Sequence, residues 1–299
     1  MEIRNLITFV HVAELASFTK AAKALGYSQS TVSFQIKQLE DELDCMLFER
    51  INHSISLTEK GREVLSYAQQ VSNMTQEFKE NFSDSTDITG HIHIVTPDSI
   101  CERMIMKNYS DFYSKYPNIS LEFSTADTDD MFRILNHNEA DVIFTLDSHV
   151  YHQDYVIAKE ERMSTHFVTG SGSPLAGKDN LSIDDILSTP FILTEKKAGY
   201  RRVLDETLAK MSYEITPVLE IGRTDLITNA LETGHFISFL PDFITAKKVD
   251  EGKLVYLNVK EVEIDIWKQL IHHRKKWLSR HFKAFINYVM ENEFSDSSS

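Results

Sequence analysis

Two helix-start signals separated by a single glycine turn put the tightest constraint on this chain. Ser17 precedes a run whose apolar positions are Ala21, Ala22, Ala24 and Leu25, Gly26-Tyr27 breaks the pattern, and Ser28 opens a second run. A serine hydroxyl accepts a first-turn amide, so helix, tight turn and helix are expected in that order. In the second run Val32, Ile36, Leu39 and Leu43 fall at the spacing of a core-facing stripe, whereas Gln29, Ser30, Ser33, Phe34 and Lys37 lie away from it. An upstream stripe, Leu6, Phe9, Val10 and Ala13, is spaced to pack beneath both. After Phe48-Glu49-Arg50, the polar turn Asn52-His53-Ser54 leads into Ile55-Ser56-Leu57, whose alternation suits a short strand, and Thr58 is placed to cap a further helix.

This arrangement is a winged helix-turn-helix. The N-terminal residues of its second helix reach base edges, where Gln can pair with adenine and Ser can bond several bases. The candidate DNA contacts are Gln29, Ser30, Thr31, Ser33, Phe34 and Lys37 on the helix, with Arg50, His53 and Ser54 at the wing.

The segments Ser17-Phe18-Thr19-Lys20-Ala21-Ala22, Leu25, Ser28-Gln29-Ser30-Thr31-Val32-Ser33, Gln35-Ile36, Leu39-Glu40, Leu43, Leu47-Phe48-Glu49-Arg50 and Leu57-Thr58-Glu59-Lys60-Gly61 closely resemble the LysR-type transcriptional regulators. The likeness continues more loosely through Thr96-Pro97, Tyr116-Pro117 and Leu240-Pro241. It implies a regulator, not an enzyme, acting on double-stranded operator DNA with an interrupted palindrome. It also implies a small-molecule effector, commonly an organic anion, assembly as a homodimer or dimer of dimers, and RNA polymerase as a partner. The chain departs from the family where Ser30 replaces the usual Pro, Phe34 the usual Arg, and His53 and Ser54 the usual basic residues. Residues 1–60 hold six Lys and Arg against eight Asp and Glu. Phosphate neutralisation dominates nucleic-acid affinity, so each head should bind modestly and dimerisation should matter more.

A net charge of −14 argues against indiscriminate nucleic-acid binding and for a confined contact. No run of 18 apolar residues is present, and the acidic N-terminus lacks a signal-peptide pattern, so a cytoplasmic location away from membranes is expected. Cys45 and Cys101 imply no disulfide framework.

From Glu59 to Phe82, Val64, Ala68, Val71, Phe78 and Phe82 recur by threes and fours with Thr75 filling the gap, which is coiled-coil spacing. At about 1.5 Å per residue this rod would reach roughly 36 Å, enough to separate two heads. Residues 83–87 read as a polar hinge. The expected division is therefore 1–58 for the DNA-binding head, 59–87 for the linker and dimerisation helix, and 88–299 for the body.

In the body, strands at 91–96, 119–124 and 142–146 alternate with helices at 100–115 and 129–138, the βαβαβ order of a parallel sheet. A second run carries strands near 163–169, 190–194, 218–221 and 236–240 and helices at 200–211 and 226–233, before a return through 262–271 and a last helix at 278–291. The overall class is α/β. Two lobes, about 88–160 with 266–299 and about 161–265, look like the periplasmic-binding-protein fold this family uses as a sensor.

Ligands of open α/β sheets sit beyond the C-terminal strand ends. That rule nominates Thr96, Ser99, Ile100, Thr125, Thr145, Asp147, Thr194, Arg201, Arg223 and Thr224 as effector-binding residues. Each also reads as a helix cap or turn residue, and Arg201 and Arg202 as surface cations. Helix starts favour an anion, whereas Asp98 and Asp147 either favour an amine or cap helices. No cofactor or metal is expected, since His91/His93 and His272-His273 lack companion ligands at metal spacing. Cys101 is open to two readings, a redox sensor or an inert thiol. A rival reading, an enzyme or transport protein using the body alone, lacks both an acid–base or nucleophile cluster and an export signal.

Overall fold

The computed structural model describes residues 1–51, 54–81 and 88–294. His53 of the expected wing, Phe82 of the expected seam and the expected hinge at 83–87 lie outside the described residues. The chain packs as two units, one of Met1–Ile88 with 137–139 and 275–283, the other of Thr89–Asn136, Ala140–Arg274 and Ala284–Ser299.

The first unit begins with helices α1 (Ile3–Leu15), α2 (Phe18–Leu25) and α3 (Gln29–Leu43), followed by a hairpin of β1 (Phe48–Ile51) and β2 (Ser54–Leu57). Ser17 Oγ accepts the Lys20 amide and Ser28 Oγ the Thr31 amide, so both expected caps close their helices. Gly26 between them takes a φ of 70°, which lets the Tyr27 amide reach back to the Ala22 carbonyl. Leu6, Phe9, Val12, Phe18, Ala21, Val32, Ile36, Leu39 and Phe48 make one core. Within it the Phe48 ring stands edge-on to Phe9 and Phe18 at 5.3 and 5.7 Å, joining the wing to α1 and α2.

Leu43, expected in the stripe, is exposed because α3 ends there and Asp44 turns left-handed at φ 49°. Gln35 faces inward instead, its Oε1 accepting the Thr8 hydroxyl at 2.7 Å. Glu40 Oε1 accepts the Leu47 and Phe48 amides at 2.8 and 3.3 Å and ties the wing to α3.

Thr58 caps helix α4 (Glu59–Asn81), accepting the Gly61 amide at 2.8 Å and donating to the Met46 carbonyl at 2.7 Å. The expected apolar seam divides along α4. Ala68 is buried in the head's own core, and Val64 and Val71 pack partly against it, with α4 lying along α1. Farther out, Met74 and Phe78 are exposed, as is Tyr67.

In the second unit, β3 (Gly90–Thr96), α5 (Asp98–Lys115), β4 (Ile119–Thr125), α6 (Thr128–Asn136) and β5 (Val142–Asp147) form the expected parallel βαβαβ, with β3 between its neighbours. Strand β6 (Tyr155–Met163) then leads to a second lobe. This contains β7 (Thr165–Gly170), α7 (Ile183–Leu187), β8 (Ile192–Leu193), α8 (Gly199–Lys210), β9 (Leu219–Glu220), α9 (Thr224–Leu231), β10 (Ile237–Pro241), α10 (Asp242–Asp250) and β11 (Leu254–Leu257). The chain returns through β12 (Ile266–His273) and ends in α11 (Arg280–Asn292).

The large sheet has the order β4-β3-β5-β12-β6, with β12 antiparallel to both β5 and β6. It is mixed, not wholly parallel, because the returning strand enters between the end of the first lobe and the outgoing crossover. All six residues of β5 are buried. Its Ile143 packs with Met131 and Leu135 of α6, and Phe144, pointing the other way, stacks on Phe294. The second lobe is built on the antiparallel order β10-β7-β11 and the parallel pair β8-β9.

A charge is buried where the crossovers meet. Lys268 pairs with Glu161 at 2.8 Å over the face of Phe294, and burial pushes its ammonium below the usual lysine range.

A Cβ on Gly61 would lie 2.1 Å from the Leu47 carbonyl oxygen, so only glycine lets α4 pass the wing base. Gly61→Ala is expected to destabilise the head by about 1–3 kcal/mol. For a domain this size that lowers its melting transition by roughly 4–8 °C per kcal/mol. Thermal melting followed by circular dichroism checks it, and an unchanged transition would contradict the close approach.

Candidate nucleic-acid surface and ligand cleft

The first turn of α3 carries a short chain of hydroxyls. Ser28 Oγ lies 2.8 Å from both Ser30 Oγ and Thr31 Oγ1, so cap and first-turn side chains are held in one network. Gln29 is exposed, with Thr19 Oγ1 donating to its Oε1 at 3.4 Å, an approach long enough to leave its amide for other partners. One turn on, Ser33 is half-buried while Lys37 is exposed and Phe34 is 66% exposed. Gln29, Ser30, Thr31, Ser33, Phe34 and Lys37 thus share the outer side of a helix whose opposite side holds Val32, Ile36 and Leu39 in the core. Arg50 and Ser54 belong to the wing strands, where Arg50 pairs with Ile55 and Ser54 with Ile51 in register.

In the second unit a cleft of about 290 Å³ lies between the two lobes. Its walls come from the ends of β3, β4 and β5 and the starts of α5 and α6 on one side. The other side is built from the start of α8, the segment after β9 and the start of α9. Four nominated residues line it: Ser99, Thr125, Thr194 and Thr224.

The others are placed differently. Thr96 is buried at the end of β3, its hydroxyl donating to the Pro97 carbonyl, and Ile100 is buried on α5. Thr145 and Asp147 are buried at the end of β5. Arg201 is buried, with Nε donating to both oxygens of Asp205 and Nη1 to the Thr194 carbonyl, so its charge serves α8. Arg223 is exposed and makes a two-point pair with Asp225.

The cleft also takes Asp98, Asp127, Glu195, Lys197, Gly199, Tyr200 and Gly222, which strand-end reasoning did not nominate. Their signal was available in part, since Lys197-Ala198-Gly199 directly precedes a periodic helix and Gly222 directly follows a strand. Asp127 Oδ1 accepts the Asp130 amide at 2.9 Å and Oδ2 accepts Lys197 Nζ at 3.2 Å across the cleft mouth. The amide first and the ammonium second hold the Asp127 carboxyl below its ordinary range, despite an opposing contribution from burial. Asp147 Oδ1 accepts Arg202 Nη2 and the Ser148 amide, both at 2.6 Å, and Gly199 packs directly on this strand end. Burial pushes the Tyr200 phenol far up, so it stays a neutral hydroxyl.

Among the described residues no three His, Cys, Asp or Glu side chains cluster as metal ligands. His91 is bonded to Ser120 and Glu122, and His93 to Ser124. Burial pushes the Cys101 thiol up, with Asp98 and Glu102 adding to the effect, which disfavours the reactive thiolate. No helix among the described residues is long and apolar enough to cross a membrane.

Known proteins share both parts of this architecture. The family model for the bacterial regulatory helix-turn-helix protein, lysR family, matches residues 3–62, and that for the LysR substrate binding domain matches residues 85–293. The uncharacterized HTH-type transcriptional regulator YwqM of Bacillus subtilis is 30% identical over 293 residues, spanning 96% of this chain and 98% of the relative. The HTH-type transcriptional regulator CzcR of Bacillus subtilis is 26% identical, spanning 98% of each. Among solved structures, a full-length OxyR point variant from Pseudomonas aeruginosa aligns with a TM-score of 0.76 at 18% identity, covering 97% of this chain and 94% of that one. CrgA, a LysR-type transcriptional regulator from Neisseria meningitidis, aligns at 0.54 and 19% identity, covering 97% and 98%. At such identities the structures speak for the fold alone. With a LysR helix-turn-helix at one end and a LysR substrate-binding domain over most of the remainder, this chain belongs to the LysR family of DNA-binding transcriptional regulators.

Proposed function

We propose that this regulator reads an interrupted palindrome with α3 of two or four copies, and that a small molecule bound between the lobes of its body changes that grip. The observation that carries the reading is the cleft, where Ser99, Thr125, Thr194 and Thr224 converge from strand ends and helix starts of both lobes. A ligand touching both sides binds the closed arrangement more tightly than the open one, and only such differential affinity can shift an equilibrium.

The recognition surface carries amide and hydroxyl groups where base edges would lie, plus an exposed aromatic ring at Phe34 suited to a thymine methyl. Pairing of copies is assigned to α4. Val64, Tyr67, Val71, Met74 and Phe78 fall on heptad a and d positions, and the exposed Tyr67 and Met74 take the d sites. Val71 leans on its own head, so a charge there would disturb folding as well as assembly.

Gln29→Ala and Ser33→Ala are each expected to weaken specific operator binding by about 1–3 kcal/mol while leaving assembly intact. Footprinting on DNA selected by the purified protein checks this, and unchanged protection at matched salt would contradict the assignment of α3. Phe34→Arg should raise affinity for all sequences and steepen the logarithmic salt dependence by about one phosphate. Anisotropy titrations at several salt concentrations read that slope. Met74→Asp should weaken the dimer in sedimentation without lowering the head's melting temperature, and a variant that stays fully dimeric would remove α4 from assembly.

A further inference from the structure

Charge is distributed unevenly along this acidic chain. The 25 residues from 266 to 290 contain six Lys and Arg and no Asp or Glu, in a sequence whose totals are 31 and 45. One of the six, Lys268, is buried against Glu161. The other five, Arg274, Lys275, Lys276, Arg280 and Lys283, fall within ten residues between the end of β12 and the first turn of α11. All but the half-buried Lys276 are exposed, and the exposed Trp277 and Leu278 stand among them. Ser279 Oγ accepts the Phe282 amide at 3.3 Å, and Phe282 and Phe285 are buried. Helix α11 therefore starts with its apolar side fixed, and Arg280 and Lys283 are neighbours on its outer side.

Several exposed cations elsewhere on the body face carboxylates, Arg133 with Asp130, Arg162 with Asp265, Arg223 with Asp225 and Lys253 with Glu251. Arg280 and Lys283 enter no ion pair among the described residues. Arg274 donates to the Gln153 and Tyr155 carbonyls and Lys276 to Asn138 Oδ1, which are neutral acceptors.

The position of this segment says which polyanion it meets. Residues 275–283 pack in the same unit as the DNA-binding head, together with 137–139 and α4. Asn138 is the joint, its Oδ1 accepting Lys276 Nζ at 3.2 Å and its Nδ2 donating to Gln69 Oε1 of α4 at 3.0 Å. The remainder of that unit is short of cations, with eight Lys and Arg against thirteen Asp and Glu in residues 1–88. Lys is depleted at protein–protein interfaces, whereas an unmixed cluster of Lys and Arg on a DNA-binding unit is the electrostatic mark of phosphate.

We infer that residues 274–283 form a second DNA contact, in which Arg280 and Lys283, with the neighbouring Lys275 and Lys276, meet phosphates flanking the sequence read by α3. The partial positive charge at the start of α11 adds to the attraction. The contact has no base preference. It draws on the DNA binding of the family and does not involve the cleft.

The test is the full chain carrying Arg280→Gln and Lys283→Gln together. It is titrated by anisotropy at several salt concentrations against selected operator DNA and against unrelated DNA of equal length. Each duplex extends roughly 20 bp, two helical turns, beyond the palindrome on both sides. The slope of log affinity against log salt should become shallower by about 1.8 per bound subunit, two phosphates at about 0.9 each. Affinity for both DNAs should fall by the same factor, with melting temperature and sedimentation unchanged. On a duplex trimmed to the palindrome, variant and native chain should coincide. Lys178→Gln with Lys210→Gln removes equal charge from exposed positions elsewhere and should leave the slope in place. An unchanged slope in the Arg280 and Lys283 variant overturns the proposal and leaves the segment to an acidic protein partner. An equal change in the control pair overturns it too, because net charge alone would then account for the effect. Gln29→Ala reports separately on α3, since it should weaken the operator and spare unrelated DNA.

Discussion

The body depends on one close approach, that of Gly199 to the end of β5. A Cβ at this position would stand 2.2 Å from the Leu146 carbonyl oxygen and 2.7 Å from Asp147 Oδ2, so the first turn of α8 can rest on the strand only because residue 199 has no side chain. Arg202, one turn later, reaches Asp147 Oδ1 at 2.6 Å and neutralises a carboxylate that is otherwise buried. An isolated buried charge would be costly, so strand end and helix are held as a pair. The two lobes meet at this contact. The hydroxyls of Ser99, Thr125, Thr194 and Thr224 surround the space beside it, and Lys197 with Asp127 spans its mouth.

The head solves a different problem, how to present a polar helix from a core that is small. Three hydroxyl caps, Ser17, Ser28 and Thr58, set where helices begin, and Phe48 locks the wing against α1 and α2 through edge-on rings. Asp41, Glu42 and Asp44 are exposed at the far end of α3 from Gln29 and Ser30. Segregation of charge along the helix gives an acidic head a first turn of α3 that itself carries no acid. Lys37 is the one cation of α3, so under the proposed reading modest affinity per head and a larger share of the binding energy from pairing of heads are expected.

What the sequence disclosed was local chemistry. Ser17 and Ser28 cap because, once a helical turn follows, a serine hydroxyl reaches the amide three residues on without any long-range contact, and β3, β4 and β5 announce themselves as short apolar runs between turn residues. The return through 262–271 was legible, but strand β6 and the insertion of β12 between β5 and β6 were hidden, because antiparallel insertion of a returning strand is a long-range event with no local mark. Helix α7 was hidden because five residues are too few to show a repeat, and α10 because its apolar residues do not gather on one face. The same limit governed the cleft. Strand-end hydroxyls such as Thr125 and Thr194 were legible from topology. The inward turn of Arg201 toward Asp205, the engagement of Arg223 by Asp225 and the arrival of Glu195 over Gly222 are outcomes of packing. Val64, Ala68 and Val71 show the ambiguity most plainly, since one apolar seam can serve a partner copy or the chain's own core, and here much of it serves the core.

The central claim is that α3 and the cleft are energetically linked. The most direct measurement is a thermodynamic cycle: operator affinity of the full chain with and without saturating cleft ligand, and ligand affinity with and without saturating operator. Linkage requires the two ratios to be equal, and couplings of this kind commonly span about 5- to 150-fold. Equal ratios well away from one are the predicted result. A ligand that binds the cleft and leaves operator affinity unchanged would contradict the account.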